Sequence, residues 1–161
     1  MSLIAEEIRS KAEVFQGPEI CREMVKKMLA ETNLPNGLIP LDNIEECGHV
    51  KESGFVWFKR KEKKDYRFKS TGKLVSYAPE ITGYVDKNRI KKLTGIKSQE
   101  LAIWVSVKEV YVPDTPNGKI TFKAPLGLFK TYPVSMFEID DVGEIADEVT
   151  VLEQEKETKK D

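Results

Sequence analysis

The chain has 161 residues, 40% hydrophobic and 33% charged, with a formal net charge of −1. That length suits one domain burying roughly 68–70% of its unfolded surface, and the composition is that of an ordinary soluble globular protein. The charge is uneven. Residues 138–161 hold ten acidic and three basic side chains, whereas residues 1–137 hold 23 basic and 17 acidic, so a basic body precedes an acidic end. One histidine and two cysteines without a CxxC pair exclude a Cys/His zinc site. MSLIAEEIRSK carries acidic residues where a secretory signal needs an apolar core, and no run approaches transmembrane length. Cys21 and Cys47 are therefore expected as free thiols of a reducing cytoplasm.

Two helices are expected over residues 3–31. Ser2 caps the first, in which Ile4, Ile8, Ala12 and Phe15 form a narrow stripe. Gly17 ends it, and Pro18 suits the first turn of the second. There PEICREMVKKMLAE gathers Ile20, Cys21, Met24, Val25, Met28 and Leu29 on one side, a stripe read first as packing on a sheet, with a partner-binding face as the alternative that its two adaptable methionines allow. LPNGLIP, residues 34–40, is a turn between prolines in which Gly37 is free to take positive φ.

From Gly54 the pattern is β. FVWFKR (55–60) sets Phe55 and Trp57 on one face and Val56 and Phe58 on the other. YRFK (66–69), GKLVSYA (72–78), EITGYV (80–85) and RIKKLTGI (89–96) follow as short strands between turns. LAIWVSVKEVYV (101–112) alternates over about twice an ordinary strand length, with Leu101, Ile103, Val105, Val107 and Tyr111 on one face. Twist should bend so long a strand around a core. Asn117-Gly118 signals a hairpin into KITFKA, and GLFKTYPVSMF (127–137) gives a last strand that Pro133 confines to an edge, a bulge or an end.

The expectation is a mainly β (α+β) fold. It is an antiparallel, barrel-like, strongly curved sheet of about six to eight strands with one or two N-terminal helices. Residues 1–140 form a single domain, and 141–161 form an acidic tail too poor in apolar residues to fold alone.

Catalytic chemistry finds little support. There is no GxSxG elbow, P-loop or GxGxxG, and Glu45-Glu46 and Asp140-Asp141 are adjacent rather than convergent. His49, the one imidazole, is read as a loop histidine, and Cys47 is not counted as its partner. The segment 59–69, KRKEKKDYRFK, interleaves basic residues with Tyr66 and Phe68, and suits anionic lipid better than nucleic acid. Its bland alternative is a solvated hairpin with edge-protecting lysines. A barrel of about eight strands is either filled or hollow enough for one small ligand.

Several segments in series carry a resemblance: LPNGLIP (34–40), GFVWFK (54–59), GKLVSY (72–77), residues 90–96, Trp104 within IWV, and GKITF with GLFKTYPVSMF (118–137). Over residues 5–137 the chain resembles the plant family catalogued as domain of unknown function 538, in its branch without a signal peptide. The resemblance implies a small barrel-like β domain with an N-terminal helical element. Two activities have been suggested for that family, lipid binding akin to the bactericidal/permeability-increasing fold and ester hydrolysis. It transfers no catalytic residue, cofactor or metal.

The leading expectation is a non-enzymatic module binding an amphipathic, lipid-like molecule in a sheet-lined cavity, with peripheral membrane contact as a further possibility. Trp57, Trp104 and Phe122 are its candidate apolar wall, and Lys59, Arg60, Lys61, Lys63 and Lys64 its candidate holders of an anionic head. The alternatives are a carboxylic-ester hydrolase using His49, and a structural or protein-interaction domain whose acidic tail makes the contact.

Overall fold

The computed structural model describes residues 4–68 and 71–139, with the backbone alone of 149–151. In chain order the elements are α1 (Glu6–Lys11), β1 (Glu13–Gln16), α2 (Pro18–Glu31), β2 (Glu46–Val50), β3 (Phe55–Lys59), β4 (Lys64–Phe68) and β5 (Leu74–Asp86). They continue as β6 (Arg89–Glu100), β7 (Ile103–Ser106), β8 (Glu109–Tyr111), β9 (Lys119–Lys123), β10 (Phe129–Pro133) and β11 (Val149–Val151). Among the described residues these strands form one antiparallel sheet, so the fold is mainly β with two helices. Among the described residues no helix is long and apolar enough to cross a membrane.

Two long strands are the spine. The first half of β5 pairs with β4 and its second half with β3, while β6 runs along β5 and hands its two ends to β7 and β8. The main path runs β1-β2-β3-β5-β6-β8-β9-β10 and stays open, since no described ladder joins β1 to β10. The closed, barrel-like form expected from strand number is therefore not formed. Its interior is filled as well. Phe68, Tyr77, Ile81, Ile120 and Phe137 are fully buried against one another's neighbours in a continuous core beneath α2.

A second, smaller cluster lies on the opposite face, where Ile4, Val50, Phe55 and Trp57 meet Ile8, Ala12 and Val14. The β1–β2–β3 region is thus covered on both sides, by α1 and by α2. This is why FVWF is buried at all four positions, with Phe55 and Trp57 on one face and Val56 and Phe58 on the other, as alternation requires.

Several elements differ from the sequence expectation. The first helix stops at Lys11, and residues 13–16 form β1, where Phe15 lies opposite Cys47 and packs on the main core. Pairing with β2 outweighs a helix too short and charged to persist alone. Residues 46–50 are a strand, so His49 is not in a loop. The segments 72–78 and 80–85 are one strand of 13 residues that passes Pro79 at a register irregularity, the place where a strand tolerates proline.

The stretch 101–112 is not one strand. It turns at 101–102, forms β7, breaks at 107–108 and resumes as β8. The break shifts the alternation by one residue, so Val107 and Val110, which would lie on opposite faces of an unbroken strand, are both buried. Leu101 and Ile103, expected in the core, face solvent. Gly37 does not take positive φ. Its amide instead donates to the Phe137 carbonyl at 2.7 Å, so close that a Cβ would strike that oxygen.

The turn at Gly118 leads from β8 into β9, and Pro133 ends β10. The expected tail falls mostly outside the described residues; within it, Val149–Val151 pairs with β4.

Candidate functional site

The amphipathic stripe of α2 buries Cys21, Val25, Met28 and Leu29 on the sheet. One edge of the helix does not close onto the strands. Between that edge and β1–β3 lies a cleft of about 220 Å³. Phe15, Met24, Val25, Met28, Val56 and Phe58 make an apolar floor, and charged Glu13, Lys27, Glu31 and Lys51 stand around it with His49. Lys51 pairs with Glu13 at 3.6 Å, whereas Lys27 makes no ion pair among the described residues.

Cys47 and His49 share this cleft because residues i and i+2 of an extended strand lie on one face. Two groups side by side in this way suggest a thiol and a base. Burial, helped by the adjacent Cys21 thiol, pushes the Cys47 thiol above its ordinary range, so it stays protonated and is not an activated nucleophile. The Cys21 thiol donates to the Phe15 carbonyl at 3.4 Å, and both cysteines are free. Among the described residues no serine or threonine lines the cleft.

The structure does not bring the predicted apolar wall together. Trp57 is fully buried under α1, where its indole N–H donates to Glu46 at 2.9 Å. Phe122 belongs to the main core, stacked on Phe137 at 5.1 Å between ring centres. Trp104 is on β7 and exposed. Alternation placed Trp57 correctly on a buried face, but which of two cores it enters depends on α1, a distant element.

The predicted cationic cluster is drawn into ion pairs. Lys59 lies 4.0 Å from Glu80, Lys61 3.8 Å from Glu45, Lys63 3.4 Å from Asp65 and Lys64 2.5 Å from Asp42. Arg60 is buried, with one terminal nitrogen donating to the Pro40 carbonyl and the other 3.7 Å from Asp42. The groove beside them, about 450 Å³, is lined by Pro18, Asn43, Glu45, Arg60, Lys61, Glu62 and Lys64, with no apolar floor for a lipid chain. The acidic partners, Asp42 and Glu45 above all, sit in the coil before β2, and sequence spacing gave no sign that this coil returns to the lysines.

The cleft beside α2 was not anticipated as a site. Its only legible signal was the pair of methionines, Met24 and Met28, on an otherwise core-facing stripe. Of its floor, Val25, Met28, Val56 and Phe58 fall within the segment that a family model matches, whereas Phe15 and Met24 precede it. The family model described as "Protein of unknown function, DUF538" matches residues 25–138. No curated protein and no solved structure matches the chain. The match spans well over half of the sequence, and the chain belongs to the DUF538 family.

Proposed function

We propose that the protein is a non-enzymatic binding module that takes the apolar part of a small amphipathic molecule into the cleft between α2 and β1–β3. The observation that carries this reading is an apolar floor inside a charged rim, the combination that small-molecule sites use for affinity and orientation. At about 220 Å³ the cleft is below the roughly 300–1,000 Å³ of typical ligand sites, which favours one ring or a short chain over a whole lipid. Lys27, at the rim and without an ion pair among the described residues, is the group that meets an anionic head. Met24 and Met28 supply unbranched walls that adapt to different shapes. Two buried free thiols support a reducing compartment such as the cytoplasm.

The test is native purification followed by extraction and mass spectrometry, with a titration of short-chain and aromatic carboxylic acids. Saturable binding that Met24→Trp abolishes, with little change in melting temperature, supports the cleft. An empty extract and no saturable binding by the wild type overturn it.

A further inference from the structure

Among the described residues, six of the exposed large apolar side chains sit at two hairpin tips. Leu101, Ile103 and Trp104 crown the β6–β7 turn, and Leu126, Leu128 and Phe129 crown the β9–β10 turn. The two tips lie side by side, because Glu100, just before Leu101, pairs at 3.8 Å with Lys130, just after Phe129.

The residues at the very ends are the most exposed and the least suited to their backbone. Leu101 is 99% exposed at φ 49°, and Leu126 is 98% exposed at φ 66°. Positive φ in a tight turn belongs to glycine, asparagine or aspartate, and a branched apolar side chain there is strained. A chain that places leucine at both points gives up turn stability and apolar burial together, the pattern expected of a surface shaped for contact.

Charge identifies the contact. Lys97, Lys108 and Lys123 are exposed behind the tips and make no ion pair among the described residues. Lys108 and Lys123 also line a groove of about 820 Å³ with Lys51, Lys91 and Lys92, five lysines against the carboxylates of Glu52, Asp86 and Glu109. That groove reaches Ala124 and Pro125 at the foot of the second tip.

We propose that the protein docks on an anionic lipid bilayer through these two tips. The leucines and Phe129 enter the outer acyl region, Trp104 lies at head-group depth, and the lysines behind them meet lipid phosphates. The tips are convex, so they suit a deformable surface better than a preformed pocket. The inference is independent of the α2 cleft.

Sedimentation of the full chain with vesicles of phosphatidylcholine, with and without phosphatidylserine, tests it. The expected result is saturable binding that requires phosphatidylserine and weakens in high salt. Leu101→Asn with Leu126→Asn removes both apolar points while suiting positive φ. Binding should fall about tenfold or more with melting temperature unchanged or raised. Lys97→Glu with Lys123→Glu should weaken binding without touching the tips, and Met24→Trp should leave it intact. Absence of binding to phosphatidylserine vesicles overturns the proposal, as does binding that the double asparagine variant leaves unchanged. Self-association of the wild type without vesicle binding, lost in that variant, assigns the tips to a second copy and overturns it equally.

Discussion

At the scale of single residues, Glu46 and Gly48 hold the smaller cluster together. Both Glu46 oxygens accept from the Arg9 guanidinium, at 2.8 and 3.1 Å, and the same carboxylate accepts from Trp57 and Gln16. The Arg9 hydrogen bond chiefly holds the Glu46 carboxyl down to about 2, so it binds its proton far less readily folded than unfolded. Its stabilisation is therefore complete above its ordinary value near 4.5 and is lost as pH falls from there to about 2. Chemical denaturation as a function of pH should show a loss of about 2–3 kcal/mol across that window, and Glu46→Gln should flatten the pH dependence. Gly48 faces Trp57 directly across the β2–β3 ladder, and a Cβ there would overlap the indole. Since Trp57 is fully buried and cannot swing away, Gly48→Ala should cost about 1–3 kcal/mol. The melting temperature should drop by several degrees. Leu101→Asn, in contrast, should stabilise the isolated protein by up to about 1 kcal/mol, because asparagine tolerates the observed φ.

At the scale of elements, α2 was the most legible part of the sequence. Pro18 sits at its first turn, and its apolar stripe faces the sheet. Its spacing could not reveal that Cys21 would meet Cys47 of β2, a contact between elements 26 positions apart. Both thiols are buried under the helix, and burial pushes Cys47 up. Alkylation under native conditions should therefore be slow for both cysteines and become fast only when α2 lifts or the chain unfolds. Thiol titration with and without denaturant checks this. Rapid native reaction at Cys47 would mean that the helix–sheet packing is looser than described. The stretch 101–112 teaches the opposite lesson. Its alternation was clear, yet the break at 107–108 brings Val110 into the core beside Val107, while at the β6–β7 tip Ile103 and Trp104, on opposite faces, are both exposed. The error came from treating a pattern of period two as proof of one continuous strand.

At the scale of the whole molecule, long-range pairing decides where chemistry is possible. Met24→Trp should lower amphipath binding by at least about tenfold if the α2 cleft is the site, while retaining vesicle docking. A titration beside the sedimentation assay separates the two. The sequence by itself determined the β-rich class, the helix beginning at Pro18, the alternation of FVWF between two faces, the hairpin entering β9 and the family resemblance. These depend on local periodicity, turn chemistry and motif order, which are written in neighbouring residues. Only the tertiary structure decided that the sheet stays open, that its interior is filled, that the lysine bend is matched by Asp42, Glu45 and Glu80, and that two apolar tips stand together. Each of those outcomes rests on contacts between residues far apart in the chain, and no local pattern encodes which distant partner a strand, a charge or an apolar face will meet.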